Sequence, residues 1–126
     1  MNTITKTATE DTPEVNFNEL DSSLKISGRS MPEDAISFYT PIIQCIEELH
    51  ATGFSLKQID FHFEFLSTSS TKQVMKVFQV VNEINKTKEV KVNWLYDEND
   101  TNMKRTGELL LKLVQFQMSF SEVSAG

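Results

Sequence analysis

Five hydroxyl side chains in a row, Ser67-Thr68-Ser69-Ser70-Thr71, are the residues of this chain best suited to carry chemistry. They follow Ile59-Asp60-Phe61-His62-Phe63-Glu64-Phe65-Leu66, whose alternating aromatic positions predict a strand. After them Val74, Val77, Phe78, Val81 and Ile84 recur at helical spacing. The cluster therefore sits where a strand hands over to a helix. A helix start leaves its first N–H groups without partners and carries partial positive charge, so a hydroxyl there can cap the helix or hold a phosphate. One cap needs one hydroxyl, and five leave room for phosphorylation, which adds about −1.5 to −2 charge and several acceptor oxygens. Lys72 is the candidate counter-charge.

Asp97, Glu98 and Asp100 form a second group, again between an expected strand and an expected helix. Carboxylates so placed could hold Mg²⁺ or act as acid and base, and they could equally cap the helix and complement its dipole. His50 and His62 have no Cys or second His at ligand spacing, so no metal site is expected. With four Gly in the whole chain there is no Gly-rich phosphate loop. His62 lies close in sequence to Thr68, but no nucleophile and base stand out together. The residues point to a binding module without cofactor or metal, and a small divalent-metal enzyme built on Asp97, Glu98 and Asp100 is the alternative, beside a purely structural subunit.

The elements that would position these groups follow from periodicity. Val15 and Phe17, then Leu24 and Ile26, alternate with polar residues around a turn and predict a hairpin. Ser30-Met31-Pro32-Glu33 has capping-box spacing, and Ala35, Phe38, Tyr39, Ile42, Ile43, Ile46 and Leu49 then predict a first helix, bent near Pro41 and ended by Gly53. The second helix closes near Lys86–Lys88. Val90, Val92, Trp94 and Tyr96 predict another strand. Met103, Gly107, Leu110, Leu111 and Val114 predict a third helix, with Phe116, Met118 and Phe120 adding a final strand. Helices alternating with strands imply crossovers and a mixed sheet. Polar residues at Asn16, Lys25, His62, Glu64, Lys91 and Asn93 place the helices on one face and leave the other more polar. The expected fold is a single α/β domain over 12–120, with four to five strands and about three helices. Residues 1–11 and 121–126 read as flexible tails.

At 126 residues the chain can bury roughly two thirds of its unfolded surface, enough for a core without staples. A net charge of −6 disfavours nucleic acid or an anionic membrane as the main partner. The lone Cys45 cannot pair within the chain and falls on an apolar helix face, which fits a buried thiol in a reducing compartment. No apolar run approaches the roughly 20 residues of a membrane span, and no leader pattern opens the chain. A cytoplasmic protein is expected.

Four ordered motifs then carry a resemblance: Thr12-Pro13-Glu14-Val15; Pro32-Glu33-Asp34-Ala35 with Phe38-Tyr39 and Pro41; Ser67 to Lys72; and Val92-Asn93-Trp94-Leu95-Tyr96-Asp97-Glu98 with Asp100, Met103 and Gly107. In this order they resemble the SiaC family of bacterial regulatory phosphoproteins. The resemblance implies a fold similar to STAS domains of the anti-sigma-factor-antagonist type, with a hydroxyl phosphorylated at a strand-to-helix junction. It places the modification on Thr68, with Ser69 and Ser70 as secondary candidates. It implies three protein partners: a Ser/Thr kinase, a PP2C-like phosphatase, and a GGDEF-type diguanylate cyclase that the unphosphorylated form binds and activates. The expected partner surface is Ser67, Thr68, Ser69, Ser70, Thr71 and Lys72 with Asp97, Glu98 and Asp100, in a pathway of cyclic-di-GMP signalling that controls biofilm or aggregation.

Overall fold

The computed structural model describes residues 4–124. The strands are β1 (Thr5–Lys6), β2 (Glu14–Asn18), β3 (Ser23–Ser30), β4 (Gln58–Leu66), β5 (Lys91–Asp97) and β6 (Met118–Val123). The helices are α1 (Ala35–Ala51), α2 (Thr68–Asn85) and α3 (Thr101–Leu111). All six strands form one sheet whose spatial order is the chain order, β1-β2-β3-β4-β5-β6. The first three pair antiparallel through the expected hairpin, and β3 to β6 pair parallel. Each parallel connection passes through one helix and steps one strand in the same direction, so the right-handed crossover rule sets all three helices on one face.

Alternation along the strands builds the core on that face. Val15, Leu24, Ile26, Ile59, Phe61 and Trp94 are buried beneath the helices. Phe61, Phe63, Phe78 and Trp94 form an aromatic cluster with ring centroids 5.2–6.2 Å apart, spacing at which tilted and edge-on pairs attract. The opposite face is a polar ladder: Asn16, Lys25, Asp60 and Asn93 are successive cross-strand partners, and Asn93 Nδ2 donates to Asp60 Oδ1 at 2.7 Å. Cys45 lies on the buried face of α1; burial pushes its thiol pKa up, and the Glu48 carboxylate adds to the shift.

Three expectations change. The sheet has six strands instead of four to five, because Thr5–Lys6 pair with Val15–Asn16 and β6 runs on to Val123. The pairing thus reaches into both segments read as tails; Met1–Thr3 and Ala125–Gly126 lie outside the described residues. Ser30 does not cap α1. It ends β3 as a buried residue paired with Leu66, and Asp34 is the cap, accepting from the Ser37 N–H at 3.1 Å and the Ser37 hydroxyl at 2.8 Å. Those bonds, the backbone one first, hold the Asp34 carboxyl below its usual pKa. Pro41 lies inside α1, which continues on both sides of it. Finally, the aromatic alternation of β4 breaks. Gly28 pairs with Phe63 but Arg29 pairs with Phe65, so Glu64 is the extra residue of a bulge, and Phe65 is turned outward at 42% exposure.

Candidate functional site

The hydroxyl cluster forms the first turn of α2, at the edge of the sheet where β4 ends. Its five members have different surroundings. Ser67 is the N-cap, in extended conformation (φ −68°, ψ 162°), and its Oγ accepts from the Ser70 N–H at 3.1 Å. The Ser67 N–H donates to the Ser30 carbonyl at 2.9 Å, which ties the end of β4 to the end of β3. Thr71 turns its hydroxyl back to the Ser67 carbonyl at 2.8 Å. Ser69 is exposed, 3.3 Å from Ser67 Oγ.

Ser70 is 0% exposed and lies in a buried chain of hydroxyls: Ser30 Oγ donates to Ser70 Oγ at 2.9 Å and lies 2.6 Å from the Tyr39 hydroxyl. No kinase can reach Ser70 in the folded protein, which removes it from the candidate acceptors. Thr68 is the opposite case. It is exposed, and its hydroxyl makes no hydrogen bond among the described residues. The N–H groups of Thr68 and Ser69 are likewise without acceptors there, so the positive end of the α2 dipole opens to solvent around that hydroxyl. Lys72 is exposed one turn on and makes no ion pair among the described residues.

Because β5 neighbours β4 in parallel, Asp97, Glu98 and Asp100 emerge on the same edge of the sheet, where crevices form at the carboxyl ends of parallel strands. The three carboxylates do not converge. Asp97 Oδ1 lies 2.8 Å from His62 Nε2 on the polar face, Asp100 caps α3 by accepting from the Met103 N–H at 3.0 Å, and Glu98 is exposed. Among the described residues no three His, Cys, Asp or Glu side chains are grouped to hold a metal ion. His62 is engaged by Asp97, not by Thr68.

Sequence reasoning missed two features of this edge. One is the outward Phe65, with the Arg29 guanidinium 5.6 Å from its ring centre; a one-residue bulge leaves no pattern to read. The other is the Ser30–Tyr39–Ser70 chain, whose members are 9 and 40 residues apart and meet only through the fold.

Tyr39 yields a test of that chain. Burial raises its pKa to about 12 against the lesser opposing effect of the Ser30 hydrogen bond. Below pH 10 neither state loses the proton and the contribution is level. Above it the unfolded chain ionises first, so stability falls on the order of 2 kcal/mol as pH rises from 10 towards 12. Tyr39→Phe is expected to cost about 1 kcal/mol at neutral pH and to flatten that alkaline loss, as read from urea melts at pH 7 and pH 11.

Comparisons with known proteins agree with this architecture. A family model described as SiaC family regulatory phosphoprotein matches residues 6–123. The crystal structure of apo-SiaC from Pseudomonas aeruginosa is similar at TM-score 0.82 and 21% identity, over 96% of this chain and 99% of that one. SiaC in the crystal structure of the P. aeruginosa diguanylate cyclase SiaD in complex with its activator SiaC is similar at TM-score 0.83 and 20% identity, over 96% and 100%. At such identity the likeness is one of fold. An uncharacterized protein of P. aeruginosa strain UCBPP-PA14 is 25% identical over 101 residues, 79% of this chain and 80% of that protein. No helix among the described residues is long and apolar enough to cross a membrane.

Proposed function

This chain belongs to the SiaC family of regulatory phosphoproteins, and from that premise we propose that it is a non-catalytic adaptor whose grip on an effector enzyme is set by phosphorylation of Thr68. The effector is a GGDEF-type diguanylate cyclase, bound and activated by the unphosphorylated form. The fold shared with the SiaC of the SiaD complex supports that assignment. A Ser/Thr kinase adds the phosphoryl group and a PP2C-like phosphatase removes it, with Ser69 as the secondary acceptor. The partner surface takes in the exposed members of the first turn of α2, Lys72, and the Asp97–Asp100 segment on the same edge.

One observation carries the reading. Among the five hydroxyls three are engaged in holding the turn or the core, whereas Thr68 is exposed and unbonded beside free backbone donors. Those donors and the helix dipole accommodate a dianion, so the phosphoryl group changes the surface without unfolding the helix under it.

Intact-mass analysis of protein purified from its native host tests the site. The wild type is expected to show a fraction heavier by one phosphoryl group, and Thr68→Ala to lose it. A Thr68→Ala protein that keeps the full phosphorylated fraction would place the switch elsewhere.

A further inference from the structure

Strands β4 and β5 pair with each other only as far as His62 and Leu95. Beyond that point each keeps its other neighbour: β4 runs on along β3 to Leu66, through the bulge at Glu64, and β5 runs on along β6 to Asp97. The sheet is therefore forked at its carboxyl edge. A bulge adds local twist, which turns the end of β4 away from a neighbour whose own register on β6 is unbroken. One prong leads into Ser67 and Thr68, the other into Asp97–Asp100. Between them, on the polar face, lies a crevice of about 550 Å³, with Gly28 and Glu64 on one wall and Asp97 and Val123 on the other.

Backbone hydrogen bonds tie each prong to its own half of the sheet. The Ser67 N–H donates to the Ser30 carbonyl at 2.9 Å, and the Glu98 N–H to the Val123 carbonyl at 2.8 Å. Across the fork runs one side-chain hydrogen bond among the described residues, between His62 Nε2 and Asp97 Oδ1 at 2.8 Å. A carboxylate only accepts, so Nε2 carries the hydrogen and donates. His62 stands at the root of the fork, opposite Leu95, and the bond reaches forward from there to the last residue of β5. The turn that follows is built on Asp97: the Asp100 N–H donates back to the Asp97 carbonyl at 2.9 Å, with Asn99 left-handed at φ +68° between them.

We propose that His62 is a positioning residue: its bond to Asp97 clasps the two prongs and holds Asp97–Asp100 in the place from which that segment meets the partner beside Thr68. The clasp itself stands on geometry alone, whereas its consequence for recognition rests on the function proposed above.

Two variants separate the bond from the bulk of the ring. His62→Leu keeps a large side chain and removes the donor, and His62→Gln keeps an N–H at the ε position. His62 faces the polar side, away from the core, and thermal melts check that both variants fold. Amide exchange followed by NMR on the free protein reads the clasp. In His62→Leu the Glu98 and Asp100 amides are expected to exchange about fivefold faster, the scale of one half-exposed hydrogen bond, with those of β3 unchanged, and His62→Gln should return them to the wild-type rate. Wild-type rates in His62→Leu, or a His62→Gln protein as fast as His62→Leu, would overturn the clasp. Calorimetry against a GGDEF-type cyclase of the native host that binds the wild type reads the consequence. His62→Leu should bind about threefold to fivefold more weakly, and His62→Gln should recover the loss. A loosened segment with unchanged binding would overturn the role in recognition. If no such cyclase binds the wild type, the proposed effector falls, and the exchange rates still decide the clasp.

Discussion

Gly107→Ala is expected to destabilise the fold by about 2 kcal/mol or more, although alanine is the better helix former by about 1 kcal/mol. Gly107 lies in α3 directly over the indole of Trp94. A methyl group placed there would stand 2.6 Å from Trp94 Cδ1 and Nε1 and 2.7 Å from Cε2, roughly 1 Å inside ordinary carbon contact. The ring cannot yield. Trp94 is 0% exposed, is packed against Phe61, Phe63 and Phe78, and donates through Nε1 to the Met103 carbonyl at 2.9 Å. Either α3 lifts from the sheet or that hydrogen bond breaks, and each outcome outweighs the gain in helix propensity. The melting temperature should fall by roughly 6–10 °C. Gly53→Ala is the control: Gly53 has φ +86° and no atom within 4 Å of the added carbon, so its cost is that of backbone strain alone, about 1 kcal/mol. A Gly107→Ala protein that melts at or above the wild-type temperature would refute the contact.

The second large effect concerns recognition. Thr68→Glu, and more fully Thr68 phosphorylation, should weaken binding of the proposed diguanylate cyclase effector by at least about tenfold in calorimetry, with a melting temperature within about 2 °C of the wild type. The asymmetry follows from position. In the free protein the new charge meets the open end of the α2 dipole and water, both favourable. In a complex the same charge must be desolvated, with exposed Lys72 as the nearest cation in sequence, and burying an under-paired charge costs several kcal/mol. Glutamate carries half the charge of a phosphoryl group, so its effect is the smaller one. Loss of the fold in Thr68→Glu would show a structural residue, and unchanged binding would remove the switch.

What the sequence disclosed and what it withheld divide along physical lines. Amphipathic periodicity is local, and it located all three helices, both strands of the hairpin, and the aromatic strand leading into the hydroxyl cluster. β1 was missed because two residues make no pattern; Thr5–Lys6 become a strand only by pairing with β2. β6 was cut short at Phe120 because Ser121-Glu122-Val123 reads as polar tail, although edge strands tolerate polar residues on both sides. Ser30 was mistaken for a cap since the spacing of a capping box does not reveal whether the hydroxyl faces solvent or Tyr39. At the site, the strand-to-helix junction was legible, but the ranking of the hydroxyls was not. Burial of Ser70 depends on partners on β3 and α1, and it is what separates a hydroxyl that holds the fold from one free to be modified.

The sheet order has a consequence for how the chain reaches its native state. Every strand after β1 lies beside the strand made just before it, so each of them emerges from a ribosome with a pairing neighbour already synthesised. Each strand, helix and next strand can close in turn on a growing template, which keeps loop-closure entropy low and the barrier to assembly modest for a sheet with parallel pairing. Nascent chains halted after β5 should already protect the amides of β3 and β4 from exchange, with the last crossover completing the molecule on release.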